Sequence, residues 1–254
     1  MIPDLAGFRP EWLDSAEVSF ALAGPRVTGL SFFFQDEAAW EEFAAAQSLD
    51  ERVMAEDKAL RSKFSLLPRY WLKVHYNGRE RCGLSQYFDI NPALLYPITT
   101  IRCFLRSYGC ADVGMIEDLL KPALEASGTQ WGLALKRFPD QVVPRIFFSI
   151  KRPLLNEVLA PFVSLGYLSA TAAGLYLEWE IRLKGSEGAF ISFDPTFKTL
   201  SSLDFCAVPS EQFPGMLPAG LPEIFDYLKM RIPGDSLEPE YTAYMPLRTI
   251  LDNS

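Results

Sequence analysis

The sequence predicts an α+β fold, an antiparallel β-barrel of about ten strands with helices outside it. Three observations predict it. A strand–turn–strand–helix unit recurs along the chain at a spacing of about 45 to 60 residues. Each hairpin sorts into one apolar row and one mixed row of side chains, as alternating strand faces require. Eight to ten such strands tend to curl, and closure removes their exposed edges. With 254 residues, 49% of them hydrophobic, the chain can build a large core. No low-complexity linker interrupts the units, so residues 1–254 read as a single domain.

The first unit has strands at Glu17–Leu22 and Thr28–Gln35 around a Gly24-Pro25 turn. A helix over Glu37–Gln47 follows, with Trp40 and Phe43 at helical spacing. A charged helix, Glu51–Lys63, leads to the second hairpin, Tyr70–Asn77 and Leu84–Ile90 about Gly78. The next helix is expected from about Pro92 to Tyr108, closed by Gly109 and kinked at Pro97. The third unit reads as Trp131–Phe138, a Pro139-Asp140 turn, Arg145–Arg152 and a helix Leu154–Leu165 ended by Gly166. The fourth reads as strands Leu175–Leu183 and Ala189–Asp194 around Lys184-Gly185. The fifth is degenerate, with strands Leu203–Val208 and Tyr241–Leu247 on either side of a helix near Pro222–Met230.

The apolar rows (Val18, Phe20, Leu22; Leu30, Phe32, Phe34; Ile146, Phe148, Ile150; Leu175, Leu177, Trp179, Ile181) belong under the helices. The mixed rows hold Glu17 and Ser19; Trp71, Lys73 and His75; Ser85, Tyr87 and Asp89; Arg145, Phe147, Ser149 and Lys151; Tyr176, Glu178, Glu180 and Arg182. An open sheet with one wet face accounts for charges there but not for the aromatics among them. A ten-strand barrel is wide enough for these rows to line a ligand chamber.

Composition excludes several classes. A net charge of −8, from 24 Lys+Arg against 32 Asp+Glu, argues against a nucleic-acid surface. The single histidine excludes multi-histidine metal sites, and 34 Phe, Tyr and Trp exclude disorder. No apolar run reaches the length of a membrane span, and Met1–Pro10 lacks a signal-peptide pattern. Cys82, Cys103, Cys110 and Cys206 have no metal-ligand spacing and read as buried thiols in a reducing cytoplasm. P-loop, GxGxxG, GxSxG, HExxH and Asp-rich DDxxD patterns are missing, and no metal cage is visible in the sequence.

Some segments resemble the ABBA prenyltransferases, and among them the cyanobactin peptide prenyltransferases. The likeness begins at Ile2-Pro3-Asp4-Leu5 and Phe8, and continues through Ser15-Ala16-Glu17-Val18-Ser19 and Phe33-Phe34-Gln35-Asp36 with Trp40. It is sharpest at Leu72-Lys73-Val74-His75, similar to a Leu-Lys-x-His strand that faces the prenyl diphosphate. By motif it covers about residues 2–76, and by order of elements most of the chain. The sequence departs from the pattern at Gly29, where the family places an arginine, with only Arg26 nearby. Later strands offer Phe147, Tyr176 and Phe190 in place of shielding tyrosines.

The resemblance implies a PT barrel that moves a dimethylallyl or longer isoprenyl group from its diphosphate to a nucleophilic side chain of a peptide, in a cytoplasmic monomer. Magnesium can accompany the diphosphate; no tightly bound cofactor is expected. Lys73 and His75, two apart on one strand, share a side and can face one anion, joined by Lys136, Arg145 and Lys151. His75 can equally be a core imidazole bonded to backbone, and Lys136 and Arg182 solvated strand-end charges. Trp71, Tyr87, Phe147 and Tyr176 would shield the allylic cation through their ring faces. Glu17 would take or hold the acceptor's proton, and Glu178 and Glu180 would bind the acceptor, with a cationic acceptor such as arginine in view. A non-catalytic barrel for an apolar ligand or peptide, a prenyltransferase for a small aromatic acceptor, and a tunnelling-type fold that closes only on oligomerisation remain as other readings.

Overall fold

A computed structural model describes residues 13–21, 26–47, 49–64, 66–77, 80–94, 96–110, 114–182, 188–209, 224–232 and 240–246. The segment from Ile2 to Phe8, the turns at Gly24-Pro25, Gly78 and Lys184-Gly185, and Leu22, Leu183, Pro222 and Leu247 lie outside the described residues. So do the side chains of Phe20, Arg26 and Cys206.

Ten antiparallel strands close into one barrel: β1 (Leu13–Ala21), β2 (Arg26–Phe34), β3 (Tyr70–Asn77), β4 (Glu80–Asp89), β5 (Trp131–Phe138), β6 (Gln141–Lys151), β7 (Gly188–Asp194), β8 (Thr199–Pro209), β9 (Ile224–Arg231) and β10 (Glu240–Pro246). Each strand pairs with its neighbours in sequence, and β10 returns to β1 through the register Glu17↔Pro246 to Ala21↔Thr242. Six α-helices lie among the described residues: α1 (Glu37–Ala46), α2 (Glu51–Phe64), α3 (Pro97–Ser107), α4 (Met115–Glu125), α5 (Leu155–Ser164) and α6 (Ala170–Arg182). They come in pairs after each of the first three hairpins, so the repeat there is ββαα. None of the helices is long and apolar enough to cross a membrane.

The outward strand rows meet the helices as their periodicity requires. Val18, Leu30, Phe32, Phe34, Leu72 and Val74 are buried against Trp40 and Phe43 of α1. A second, larger cluster joins Phe88, Leu133, Ile146, Phe148, Ile191, Phe193, Leu203 and Phe205 to the apolar faces of α2 through α6. One polar seam runs through this interface. Asp57 of α2, 3% exposed, pairs with Arg61 at 2.6 Å and accepts from Gln86 of β4 at 3.2 Å. Gln86 accepts in turn from Arg137 of β5 at 3.0 Å, and Arg137 pairs with Glu56. Arg61 also donates to the carbonyls of Leu67 and Arg69, fixing the entry to β3.

Three expected elements differ. Residues 170–182 form α6, not a strand beginning at Leu175. Their apolar/polar alternation imitates a strand, but the buried set, Ala172, Ala173, Tyr176 and Trp179, has helical spacing. Residues 224–231 form strand β9, not a helix, because pairing on both sides with β8 and β10 is what closes the sheet. The helix expected from Pro92 begins at Pro97, which occupies its first turn and makes no kink. Asn91 instead starts a turn, accepting from the Ala93 amide at 2.9 Å. Nor are the thiols uniformly buried: Cys103 is exposed, and Cys82 and Cys110 are half-buried, all three free.

Replacing Asp57 by Ala should destabilise the fold by about 3 kcal/mol, because Arg61 and the Gln86 amide lose their buried acceptor. Urea unfolding measures this; a change below about 0.5 kcal/mol would show that the seam does not hold α2 to the barrel.

Candidate active site

Inside the barrel the alternate strand residues have no helix to meet and line a chamber. It has two compartments. The outer, about 550 Å³, is walled by Thr28, His75, Lys136, Phe138, Val143, Arg145, Asp194, Phe197, Thr199, Leu200, Ser201, Arg231, Ile232, Glu240 and Thr242. The inner, about 120 Å³, is walled by Glu17, Phe33, Trp71, Phe147, Phe190, Ser192 and Asp204. Lys73, Tyr87, Lys229 and Tyr244 line both and mark the junction. Basic side chains dominate the outer compartment and aromatic rings the inner.

Register explains this sorting. On β3, Lys73 lies between Ser31 and Ser85, and Trp71 between Phe33 and Tyr87. Small neighbours leave Lys73 its space, and Gly29 is part of that. A β-carbon at position 29 would stand 2.5 Å from Lys73 Cε and 2.9 Å from the Val74 carbonyl. A side chain at 29 is therefore incompatible with this lysine position. Lys73, 6% exposed, donates to Tyr244 Oη at 2.7 Å, and its Nζ lies 4.2 Å from the centre of that ring. His75 Nε2 is 2.7 Å from Ser85 Oγ.

The aromatic wall is a continuous stack. Phe33 stacks on Trp71 at 4.9 Å, and Trp71 on Tyr87 at 4.1 Å. Phe147 meets Trp71 and Tyr87 edge-on at 6.0 and 5.7 Å. Phe147 reaches them by lying across Gly132 on the next strand, where a β-carbon would sit 2.0 Å from the ring.

Burial and mutual repulsion disfavour positive charge in this chamber. The Lys73 amine is held well below its ordinary range by burial and then by Lys229. Burial, then Arg145 and Lys229, lowers Lys136 to about 7. Lys229 is lowered by burial, against the pull of Asp204 at 3.8 Å. His75 falls to about 2 through burial and the neighbouring Lys73, so it is neutral at physiological pH. Burial raises Tyr87 to about 12 and Tyr244 well above its ordinary value. Arg145 stands 3.8 Å from Asp194, while its Nε has no hydrogen-bond partner. Asp194 is raised by burial and accepts from the amides of Thr196 and Phe197 in the rim turn.

The chamber thus brings together Glu17, Trp71, Lys73, His75, Tyr87, Lys136, Arg145 and Phe147 from the residues expected on sequence. His75 enters as a neutral hydrogen-bonding group rather than a cation, and its partner is a side chain rather than backbone. Lys151 does not line the chamber; it is exposed at the end of β6. Tyr176, Glu178 and Glu180 do not either, because α6 lies outside the barrel. Tyr176 is fully buried between helix and sheet, and Glu178 is exposed and pairs with Arg182. The chamber also holds residues beyond those expected on sequence, among them Lys229 and Arg231 on β9 and Asp204 and Tyr244 on β8 and β10. Alternation about the buried Leu203, Phe205, Leu228, Met230 and Ala243 would have found them. The chain matches no protein-family model and no curated protein sequence.

Such a chamber should bind a compact polyanion more tightly as its lysines are protonated. Between about pH 7 and 10.5 the unfolded chain holds a proton that folded Lys136 has lost. The ligand-free fold therefore gains stability as pH rises through that window, whereas anion affinity falls. Calorimetry with inorganic pyrophosphate should show wild type losing about tenfold more affinity than Lys136→Met between pH 6.5 and 8.5. Equal losses in the two proteins would contradict this assignment, since the ligand's own titration is common to both.

Proposed function

We propose that the protein is a prenyltransferase, moving a dimethylallyl or related isoprenyl group from its diphosphate to a nucleophilic side chain of a peptide. One observation carries the reading: a chamber inside a closed ten-strand barrel changes from basic to aromatic over its length. An isoprenyl diphosphate has the same polarity, an anionic head on an apolar tail. The Leu72-Lys73-Val74-His75 likeness to the ABBA, cyanobactin-type enzymes adds support, since Lys73 stands at the junction where head meets tail.

In this reading Lys73, Lys136, Arg145, Lys229 and Arg231 receive the diphosphate. As the allylic C1–O bond breaks, the bonding pair leaves on the diphosphate, and these positioned donors stabilise the charge that builds there. Anion binding also favours the charged form of the lysines, which burial disfavours. Trp71, Tyr87 and Phe147 face the allylic cation and keep water from it. The acceptor's nucleophile forms the new bond to carbon, and Glu17, on the inner wall, takes its proton. Magnesium entering with the diphosphate would be held chiefly by phosphate oxygens; among the described residues no three His, Cys, Asp or Glu side chains gather to ligate a metal.

Incubation with dimethylallyl diphosphate and a mixed peptide library, read by mass spectrometry, tests this. A gain of one isoprene unit on some peptides is expected, and fragmentation locates the acceptor. Lys73→Ala should lower turnover by about 100-fold or more with the fold intact. Retention of ligand with no mass gain would favour a binding barrel, and unchanged turnover in both Lys73→Ala and His75→Ala would remove the diphosphate assignment.

A further inference from the structure

The two compartments differ in the sign of charge as well as in polarity. Lys136, Arg145 and Arg231 line the outer one alone and outnumber Asp194 and Glu240 there, whereas the charged residues confined to the inner one are Glu17 and Asp204. The inner compartment's lysines, Lys73 and Lys229, stand at the junction. The two carboxylates come from opposite sides of the element order, β1 and β8, yet both act electrostatically on Lys73, Tyr87 and Tyr244. They therefore surround one space. Asp204 Oδ1 is buried there without a hydrogen-bond partner. Ser31 and Ser202 add unpartnered hydroxyls at 1% and 0% exposure. Ser31 stands in register between Glu17 and Lys73, and Ser202 opposite Ser192, so the pleat aims both at the same wall.

A compartment with flat aromatic walls, two carboxylates on separate strands and spare acceptors calls for a planar cation rich in N–H donors. A guanidinium has that shape: it stacks on aromatic faces and presents its donors in a fork to carboxylates. We propose that the inner compartment binds an alkylguanidinium, and that the acceptor is therefore an arginine side chain; this rests on the prenyl-transfer reading. The junction lysines oppose such a guest until an anion in the outer compartment offsets them, so the acceptor binds second and more tightly with diphosphate in place. In the transfer step the C1–O bond breaks with its pair leaving on the diphosphate, and C1 bonds to a guanidinium nitrogen. That nitrogen's proton passes to the Glu17 carboxylate, and the product keeps one positive charge.

Calorimetry on the intact protein tests this with N-acetyl-arginine amide and its neutral isostere N-acetyl-citrulline amide, each with and without inorganic pyrophosphate. The arginine probe should bind at least tenfold tighter than the citrulline probe, and about tenfold tighter again with pyrophosphate present. Asp204→Asn and Glu17→Gln should each weaken it about tenfold without weakening pyrophosphate. Equal binding of the two probes, tighter binding of the tyrosine or lysine amide, or indifference to both substitutions would overturn the proposal. Failure of pyrophosphate itself to bind would instead count against the prenyl-transfer reading, leaving the arginine–citrulline contrast to be judged alone.

Discussion

Closure of the sheet on itself is the constraint from which the rest of the structure follows. A strand must send alternate side chains to opposite faces. Here one face is covered by helices, and pairing of β10 with β1 encloses the other. Residues on the enclosed face cannot all be satisfied by packing, because ten strands make a barrel too wide to fill. The inner row is thereby released from core duty, and a chamber results that can hold charge, aromatic surface and a guest together.

What lines that chamber is a departure from what stability alone would choose. Burying amines that repel one another disfavours their charged forms, which is why Lys73, Lys136 and Lys229 titrate low. Asp204 stands 3.8 Å from Lys229 and Asp194 3.8 Å from Arg145, near enough to moderate the repulsion and too far for a direct hydrogen bond. Gly29 and Gly132 are the corresponding concessions in backbone: each gives up a side chain so that Lys73 or Phe147 can occupy its space. Perturbed groups gathered in one cavity, with space cleared for them by neighbouring strands, make the chamber the candidate site.

The hairpins were legible because their period-2 alternation is unambiguous: Leu30, Phe32 and Phe34 against Ser31 and Phe33 admit one reading. Lys73 and His75 were placed correctly for the same reason. Residues 175–182 defeat that logic, since a helix can carry the same alternation. What decides there is the Ala-Thr-Ala-Ala start at residue 170 and burial at 3.6 spacing, which only the packed structure reveals. Strand β9 was hidden for the opposite reason. Its Leu, Lys, Met and Arg are good helix formers, and its strand state comes from long-range pairing with β8 and β10. Losing β9 meant losing Lys229, and with it the ion pair that binds Asp204 to the chamber.

The most direct test of a basic-to-aromatic chamber is a crystal structure with a non-reacting thiolodiphosphate analogue of dimethylallyl diphosphate. The phosphate oxygens should lie within hydrogen-bond distance of Lys73, Arg145 and Lys229, with the isoprenyl tail against Trp71 and Tyr87. An analogue bound outside the barrel, or with its tail toward the rim at Phe197 and its head against the aromatic wall, would contradict the account.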